Sequence, residues 1–302
     1  MSLNYHAKER SELAKRILPQ MTLAQGDHGN TDTSKTNPYR APRDSAAGRF
    51  ALSGHAVITG GTGSIGLVVA RAMLQHGIRG LMIIDLHPTD SVDLINELRE
   101  DFPAALILSY HADVTDDVRV GLAVNRAVEM FGSVEMLVCF AGVVGAAHAL
   151  DMPVREWRQI LNVNTTGAFI CAQAVARHMV AQGKGGRIIM TASLSAHRVG
   201  FPQPQAAYNT SKAALLMLKS SLAAEWARYG ITVNSISPGY IDTILNEGEG
   251  LAAGRKVWAE RNPMGRMGLP EEIAGVVVML CSRAGSYMNG ADIIVDGGSA
   301  VF

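Results

Sequence analysis

Tyr208 and Lys212, in the run Tyr208-Asn209-Thr210-Ser211-Lys212, bring a phenol and an ammonium together if that run is helical, because residues i and i+4 share a helix face. An unperturbed phenol keeps its proton up to a pKa of about 10, too high for exchange near neutrality. A cation roughly 4 Å away, at an effective dielectric of about 20, contributes on the order of 4 kcal/mol. Since a pKa unit is about 1.4 kcal/mol, the attraction alone predicts a fall of about three units before any opposing desolvation. Tyr208 is therefore a candidate general acid and base. The same spacing recurs on solvated helix faces, so the pair takes its meaning from its surroundings.

A second chemistry-bearing run is Thr59-Gly60-Gly61-Thr62-Gly63-Ser64-Ile65-Gly66. It follows an apolar strand pattern and opens a helical one, where a pyrophosphate can approach glycine backbone and rest on a helix N-terminus. Gly61, Gly63 and Gly66 fit G-x-G-x-x-G, a dinucleotide signature in this strand–turn–helix context. A phosphate loop of the nucleotide-hydrolysing kind is excluded, because Leu67 and not Lys follows Gly66. Asp85 closes the next apolar run, 19 residues on. A carboxylate there accepts from ribose hydroxyls and repels a 2′-phosphate, which favours NAD(H); His87 and Arg79 keep NADP(H) open, and Asp85 can also serve only to cap its own turn.

The elements that must position these groups alternate along the chain. Apolar runs at 55–59, 81–84, 106–110, 136–140, 187–191, 232–236 and 293–295 read as buried strands. Helical segments start near Ser64, Ser91, Asp116, Pro153, Gln205 and Pro270. Such alternation predicts an α/β fold: a Rossmann-like, doubly wound, seven-stranded parallel sheet with helices on both faces, in a single domain over 51–302. Residues 1–50 are polar and largely aperiodic, and read as a mobile N-terminal extension, with a targeting or oligomer arm as the alternative.

With 27 basic and 27 acidic residues, the chain gives no general electrostatic attraction to nucleic acid or anionic membrane. No run of 18 apolar residues suggests a span, and the N-terminus lacks the apolar core of a secretory signal. Cys139, Cys171 and Cys281 are 3 in number and lack metal-ligand spacing, so no metal site is expected and a reduced, cytoplasmic setting fits.

Together these elements resemble the short-chain dehydrogenase/reductase family, over roughly 51–302. The resemblance implies a catalytic tetrad of Asn164 in Leu161-Asn162-Val163-Asn164-Thr165-Thr166-Gly167, Ser193 in Met190-Thr191-Ala192-Ser193, Tyr208 and Lys212. It implies cofactor contacts from Gly60, Gly61, Gly63, Ser64, Ile65, Gly66 and Asp85. Asp113 and Val114 lie on the adenine side, and Ala141 and Gly142 after the fourth strand. Pro238, Gly239, Ile241 and Thr243 form the segment that holds the nicotinamide carboxamide, with Tyr208 and Lys212 shared between both roles. Asp296-Gly297-Gly298 matches the usual end of the last strand. Two departures stand out. Ser64 occupies a position where the compact branch carries Gly, and Cys139-Phe140-Ala141-Gly142 replaces the usual Asn-Asn-Ala-Gly.

Ser193 and Tyr208 lie 15 residues apart, a long interval containing Pro202-Gln203-Pro204-Gln205. With Ser237-Pro238-Gly239-Tyr240-Ile241-Asp242-Thr243, this is similar to fungal sorbose reductase, mannitol 2-dehydrogenase and arabinitol dehydrogenase enzymes. The resemblance implies hydride transfer between a nicotinamide and a secondary alcohol or ketone, the substrate a polyol or ketose. In it Tyr208 exchanges the proton, Lys212 lowers its pKa and binds ribose, Ser193 steadies the substrate oxygen and Asn164 holds a water. Alternatives are a ketoreductase tailoring a fungal natural product and a non-catalytic dinucleotide-binding regulator. Ser195, His197, Gln203 and His148 are candidate substrate contacts. Residues 240–262 form a candidate lid, in which Trp258 is either a mobile element or a packing anchor. The family also implies a homo-oligomer, a tetramer, buried through Ala172, Ala176, Met179, Leu215, Leu218 and Leu222, which otherwise read as core.

Deletion of residues 1–45 is expected to leave melting temperature and turnover nearly intact. A large loss of either, read by thermal denaturation and activity, shows instead that the extension is structural.

Overall fold

A computed structural model describes residues 45–243, 246 and 248–301, together with 15 and 19–24. The reading of a mobile extension therefore falls almost wholly outside the described residues. At the extension's end a short helix spans Ala46–Phe50, its first turn capped by the Ser45 hydroxyl accepting from Gly48 N–H.

Beyond it the chain alternates strand and helix as the apolar runs predict. The strands are β1 His55–Thr59, β2 Gly80–Asp85, β3 Leu106–His111, β4 Met136–Cys139, β5 Gly186–Thr191, β6 Ile231–Pro238 and β7 Asp292–Val295. They form one 7-stranded sheet in the order β3-β2-β1-β4-β5-β6-β7, every pairing parallel. The helices are α1 Ser64–Gln75, α2 Val92–Asp101, α3 Asp117–Phe131, α4 Val154–Leu161, α5 Ala168–Gln182, α6 Ala206–Trp226, α7 Ala252–Glu260 and α8 Pro270–Cys281. A π-helical turn, Asn162–Gly167, joins α4 to α5.

Alternation along each strand sends side chains to two cores. Ala56 and Ile58 of β1 pack with Val69, Met73, Ile95, Ile273 and Val277 from α1, α2 and α8. Val57 packs with Val120, Val124, Cys171, Val175 and Leu215 from α3, α5 and α6. Burying such an aliphatic side chain contributes about 1.5–3 kcal/mol, and both faces of the sheet need it, which is why the strand runs are continuously apolar. Ala172, Ala176, Met179, Leu215 and Leu222 belong to the second core, and Leu218 packs against it. They are therefore unavailable as the outer oligomer surface.

The strand order reverses between β1 and β4, and open sheets of this kind leave a crevice at that point, outside the carboxyl ends of the strands. The two ends meet closely there. Gly60, with φ +66°, is so near the turn after β4 that a Cβ on it would stand 2.5 Å from Ala141 N. Gly60→Ala is expected to cost about 2 kcal/mol or more, through both the left-handed backbone and the contact. Chemical denaturation reads this, and a loss below about 0.5 kcal/mol means that the turn after β4 moves aside freely.

Candidate active site

The crevice holds a cavity of about 450 Å³ bounded by the ends of β1, β4, β5 and β6 and by α6. At its β1 side the chain is folded on itself through glycine. Gly60 N–H donates to Ile84 O at 2.9 Å and Gly63 N–H to Gly60 O at 3.2 Å. A Cβ on Gly66 would stand 2.4 Å from Gly60 O, so the first turn of α1 packs directly on the loop. Gly63 is the N-cap of α1, with no side chain capping it. The helix thus presents its positive end to the cavity, the arrangement that holds a pyrophosphate. Gly60, Gly63, Ser64, Ile65 and Gly66 line the cavity. Gly61 does not; its Cα faces Ile83, whose side chain would meet a Cβ at 2.9 Å.

Asp85 serves its own turn and more. Its carboxylate accepts from Leu86 N–H at 2.7 Å and, across the loop, from Thr62 N–H at 3.0 Å. A carboxylate offers about four acceptor sites, so capacity for ribose hydroxyls is left. Arg79 lies before β2, at the end opposite Asp85, roughly 20 Å away at about 3.3 Å per residue. It cannot meet a 2′-phosphate, which removes it as support for NADP(H). Asp113 holds the Thr115 N–H and hydroxyl at 2.9 and 2.8 Å. Val114 is buried in the second core, close enough to Gly167 that a Cβ there would stand 2.6 Å from it. Both shape the rim and neither lines the cavity, and the same holds for Ala141.

The π-helical turn brings Asn164 under the cavity floor. Its Oδ1 accepts from Val143 N–H at 2.8 Å, and its Nδ2 donates to Val143 O and to Ser211 Oγ, each at 2.9 Å. Both amide donors are thus spent on structure, and Oδ1 keeps one lone pair beyond the Val143 N–H. Ser211 passes the link on, donating to Tyr208 O at 2.7 Å. Lys212, buried, donates its ammonium to Thr191 O at the end of β5, at 2.7 Å. Desolvation pushes its pKa down to about 8, opposed by nearby Cys139.

Tyr208 and Ser193 share a side-chain hydrogen bond, and Ser193 Oγ also accepts from Ser195 N–H at 3.1 Å. The expected fall in the Tyr208 pKa is not what the structure shows. Desolvation raises it above the ordinary phenol value, and the bond from Ser193 only lowers it in part. Two observations explain the difference. The Lys212 ammonium lies 5.7 Å from the phenol ring centroid, and its hydrogen bond goes to the Thr191 carbonyl. Removal from water outweighs attraction at that range.

Of the candidate substrate contacts, Ser195 and Gln203 line the cavity. His197 turns away, with Nε2 3.0 Å from Asp292 and 3.1 Å from Ser237, and the exposed His148 lies outside the lining. Trp258 proves to be a packing anchor: it is buried, donates to Gln203 Oε1 at 3.0 Å and stacks on Tyr240. Val143, Val144, Leu194 and Gly200 are among the lining residues with no role expected from sequence, and Tyr240 lines the cavity where only the lid reading had covered it. Tyr240 lay within the matched Ser237–Thr243 stretch, so its place beside Gly239 was a usable signal.

The glycine cradle, where a Cβ on Gly60 or Gly66 would meet backbone, fits a dinucleotide, and Gly142, Pro238, Gly239, Ile241 and Thr243 line the cavity farther along. Cys139, Cys171 and Cys281 are free and buried, burial lifting Cys139 to about 12, so they act as packing groups. Among the described residues no cluster of three or more metal-ligating side chains forms, and no helix is long and apolar enough to cross a membrane.

Comparison with known proteins agrees with this geometry. A family profile described as enoyl-(acyl carrier protein) reductase matches residues 60–300. Sorbose reductase of Schizosaccharomyces pombe is 37% identical over 254 residues, covering 82% of this chain and 97% of the relative. A crystal structure of a short-chain type dehydrogenase/reductase from Mycobacterium marinum superposes with TM-score 0.80 at 40% identity, covering 84% of this chain and 99% of the other. A gluconate 5-dehydrogenase from Burkholderia cenocepacia, in complex with NADP and tartrate, gives 0.79 at 33% identity, covering 85% and 100%. The chain belongs to the short-chain dehydrogenase/reductase family and is an oxidoreductase acting on CH–OH groups.

Proposed function

We propose that this chain interconverts a secondary alcohol and a ketone of a polyol–ketose pair, with Asn164, Ser193, Tyr208 and Lys212 as its working residues. The observation that carries the reading is the Ser193–Tyr208 hydrogen bond, set over the buried Lys212 and on the same cavity as the glycine cradle. Gly60, Gly63, Ser64, Ile65 and Gly66 would hold the pyrophosphate, and Pro238, Gly239, Ile241 and Thr243 the nicotinamide end. A nicotinamide cofactor supplies or takes the hydride when bound. In reduction Tyr208, which desolvation keeps protonated, donates its proton to the substrate oxygen, while Ser193 donates a hydrogen bond to that same oxygen. In oxidation Tyr208 takes the proton back. Lys212 below pH 8 is an ammonium that stabilises the resulting phenolate and reaches the ribose. Asn164 holds the turn after β4 in register with α6 and so fixes where Tyr208 stands.

The relative named sorbose reductase supports the ketose part of the reading. The buried thiols suit a reducing, cytoplasmic setting. A homotetramer would have to bury other apolar residues than those expected. Val118 and Leu122 of α3, with Phe169 and Val180 of α5, are exposed and lie on helices that pack together.

Tyr208→Phe keeps the ring and removes the proton. Turnover of sorbose, or of another ketose on which activity is established, is expected to fall at least about 100-fold, with binding of reduced cofactor, followed by its fluorescence, within about threefold. Unchanged turnover eliminates Tyr208 as the acid and base.

Asp85 favours NADH over NADPH, since a 2′-phosphate beside a carboxylate costs roughly a tenfold factor in affinity, or about 1.4 kcal/mol. Titration of the two reduced cofactors into the full chain is expected to give that order, with Asp85→Ser narrowing the gap. Tighter NADPH binding by the unaltered protein reverses the assignment; the solved relative that holds NADP makes this the more informative titration.

A further inference from the structure

At the Tyr208 end of the cavity, Gln203 before α6 and Tyr240 after β6 line the wall, and Trp258 of α7 supports both from outside the lining. The rings of Tyr240 and Trp258 are stacked, with centroids 4.3 Å apart and planes 5° from parallel. Trp258 offers an indole N–H, which can only donate, and gives it to Gln203 Oε1 at 3.0 Å. That contact fixes which way round the Gln203 amide lies. Its Nε2 then donates to the Tyr240 hydroxyl at 3.1 Å. A phenol oxygen that accepts in this way keeps its own proton for another acceptor. Tyr240 lines the cavity, close enough to Tyr208 for the two phenols to act on each other electrostatically. Gly200 leaves the hydroxyl its space, because a Cβ there would stand 2.6 Å from the Tyr240 oxygen.

The charge of this end is as informative as its geometry. Among the described residues lining the cavity, Lys212 alone carries a full charge, and it sits beneath Tyr208 with one of its three donors on the Thr191 carbonyl. Val143, Val144, Leu194, Ser195, Gln203, Tyr240 and Asn246 supply apolar surface and neutral polar groups. Arg198 acts on the Tyr240 hydroxyl from nearby, yet it does not line the cavity. A carboxylate entering beside Tyr240 exchanges water for neutral lining donors, with Arg198 outside the lining, and burial of a charge without a contacting partner is strongly unfavourable. A neutral hydroxyl or keto oxygen meets a donor already oriented.

We infer that Tyr240, oriented by Gln203 and Trp258, is the specificity-determining residue of this site, donating its O–H to an uncharged oxygen of a neutral polyol or ketose, and that the site rejects the corresponding sugar acids. The inference rests on the oxidoreductase reading above and names its substrate class. It also separates this chain from its solved relative named for gluconate.

The test is steady-state kinetics of the full chain on mannitol, arabinitol and sorbose against gluconate, with either nicotinamide nucleotide. The neutral compounds are expected to show kcat/KM at least about 100-fold above gluconate. Tyr240→Phe keeps the stacked ring and loses the donor, and should raise KM for the neutral substrate about tenfold, with kcat and reduced-cofactor binding within about threefold. Gln203→Leu should raise KM likewise, by releasing the hydroxyl. Should Tyr240→Phe lose cofactor binding, Gly200→Ala displaces the same hydroxyl while sparing the ring, and must raise KM alike. Gluconate turned over as well as the polyols, or KM unchanged in Tyr240→Phe or in Gly200→Ala, overturns the inference alone. Normal cofactor binding with no turnover of any alcohol or ketone overturns the polyol–ketose reading, and this inference with it.

Discussion

The buried ammonium of Lys212 is the constraint around which the cavity floor is organised. Taking an ammonium out of water costs several kcal/mol unless its donors are satisfied, and here the Thr191 carbonyl accepts from it at 2.7 Å. That bond requires α6 to abut the end of β5. It also requires the turn after β4 to come close, since a Cβ on Gly142 would stand 3.6 Å from Nζ and 3.2 Å from Asn164 Oδ1. Asn164 answers by holding Val143 on both its N–H and its C=O. The π-helical turn, the short β4 and the start of α6 are thus tied to the location of one charge.

The same desolvation governs the chemistry. Phenol and amine both resist becoming charged when water is removed, so Tyr208 moves up and Lys212 down. Their pKa values, ordinarily close together, move apart, and attraction across the 5.7 Å to the ring does not reverse this. Below pH 8 the pair stands as neutral phenol and charged ammonium, the protonation state that donates. The Coulomb argument from spacing alone brought the two residues together but named the wrong dominant force.

Much of the fold was legible because it rests on local patterns. The seven apolar runs became the seven strands, and helices began within a residue or so of Ser64, Ser91, Asp116, Pro153, Gln205 and Pro270. The helix α7 was not legible as such, since its sequence is short and weakly periodic and its stability comes from Trp258. The choice between core and oligomer surface stayed open in the sequence for a related reason. Ala172, Ala176 and Met179 recur with helical period, and periodicity marks a buried face without saying whether a sheet or a second subunit covers it. Arg79 was misplaced because nearness in sequence to Asp85 hides the length of the strand between them.

The two ends of the cavity differ in how they are written. The glycine end is backbone: Gly60 and Gly66 are required where a Cβ would strike neighbouring main chain, and such demands leave a motif. The other end rests on the side chains of Gln203 and Tyr240, with Trp258 behind them and the space left by Gly200, joined only by tertiary contact, and no spacing reveals them. Changes at Gln203 or Tyr240 touch none of the glycine contacts. A family built this way can exchange one substrate for another while its cofactor cradle stays fixed, so relatives named for a ketose and for a sugar acid can share one fold. Specificity in this chain is therefore to be sought in the hydrogen-bond order Trp258 to Gln203 to Tyr240 rather than in any motif.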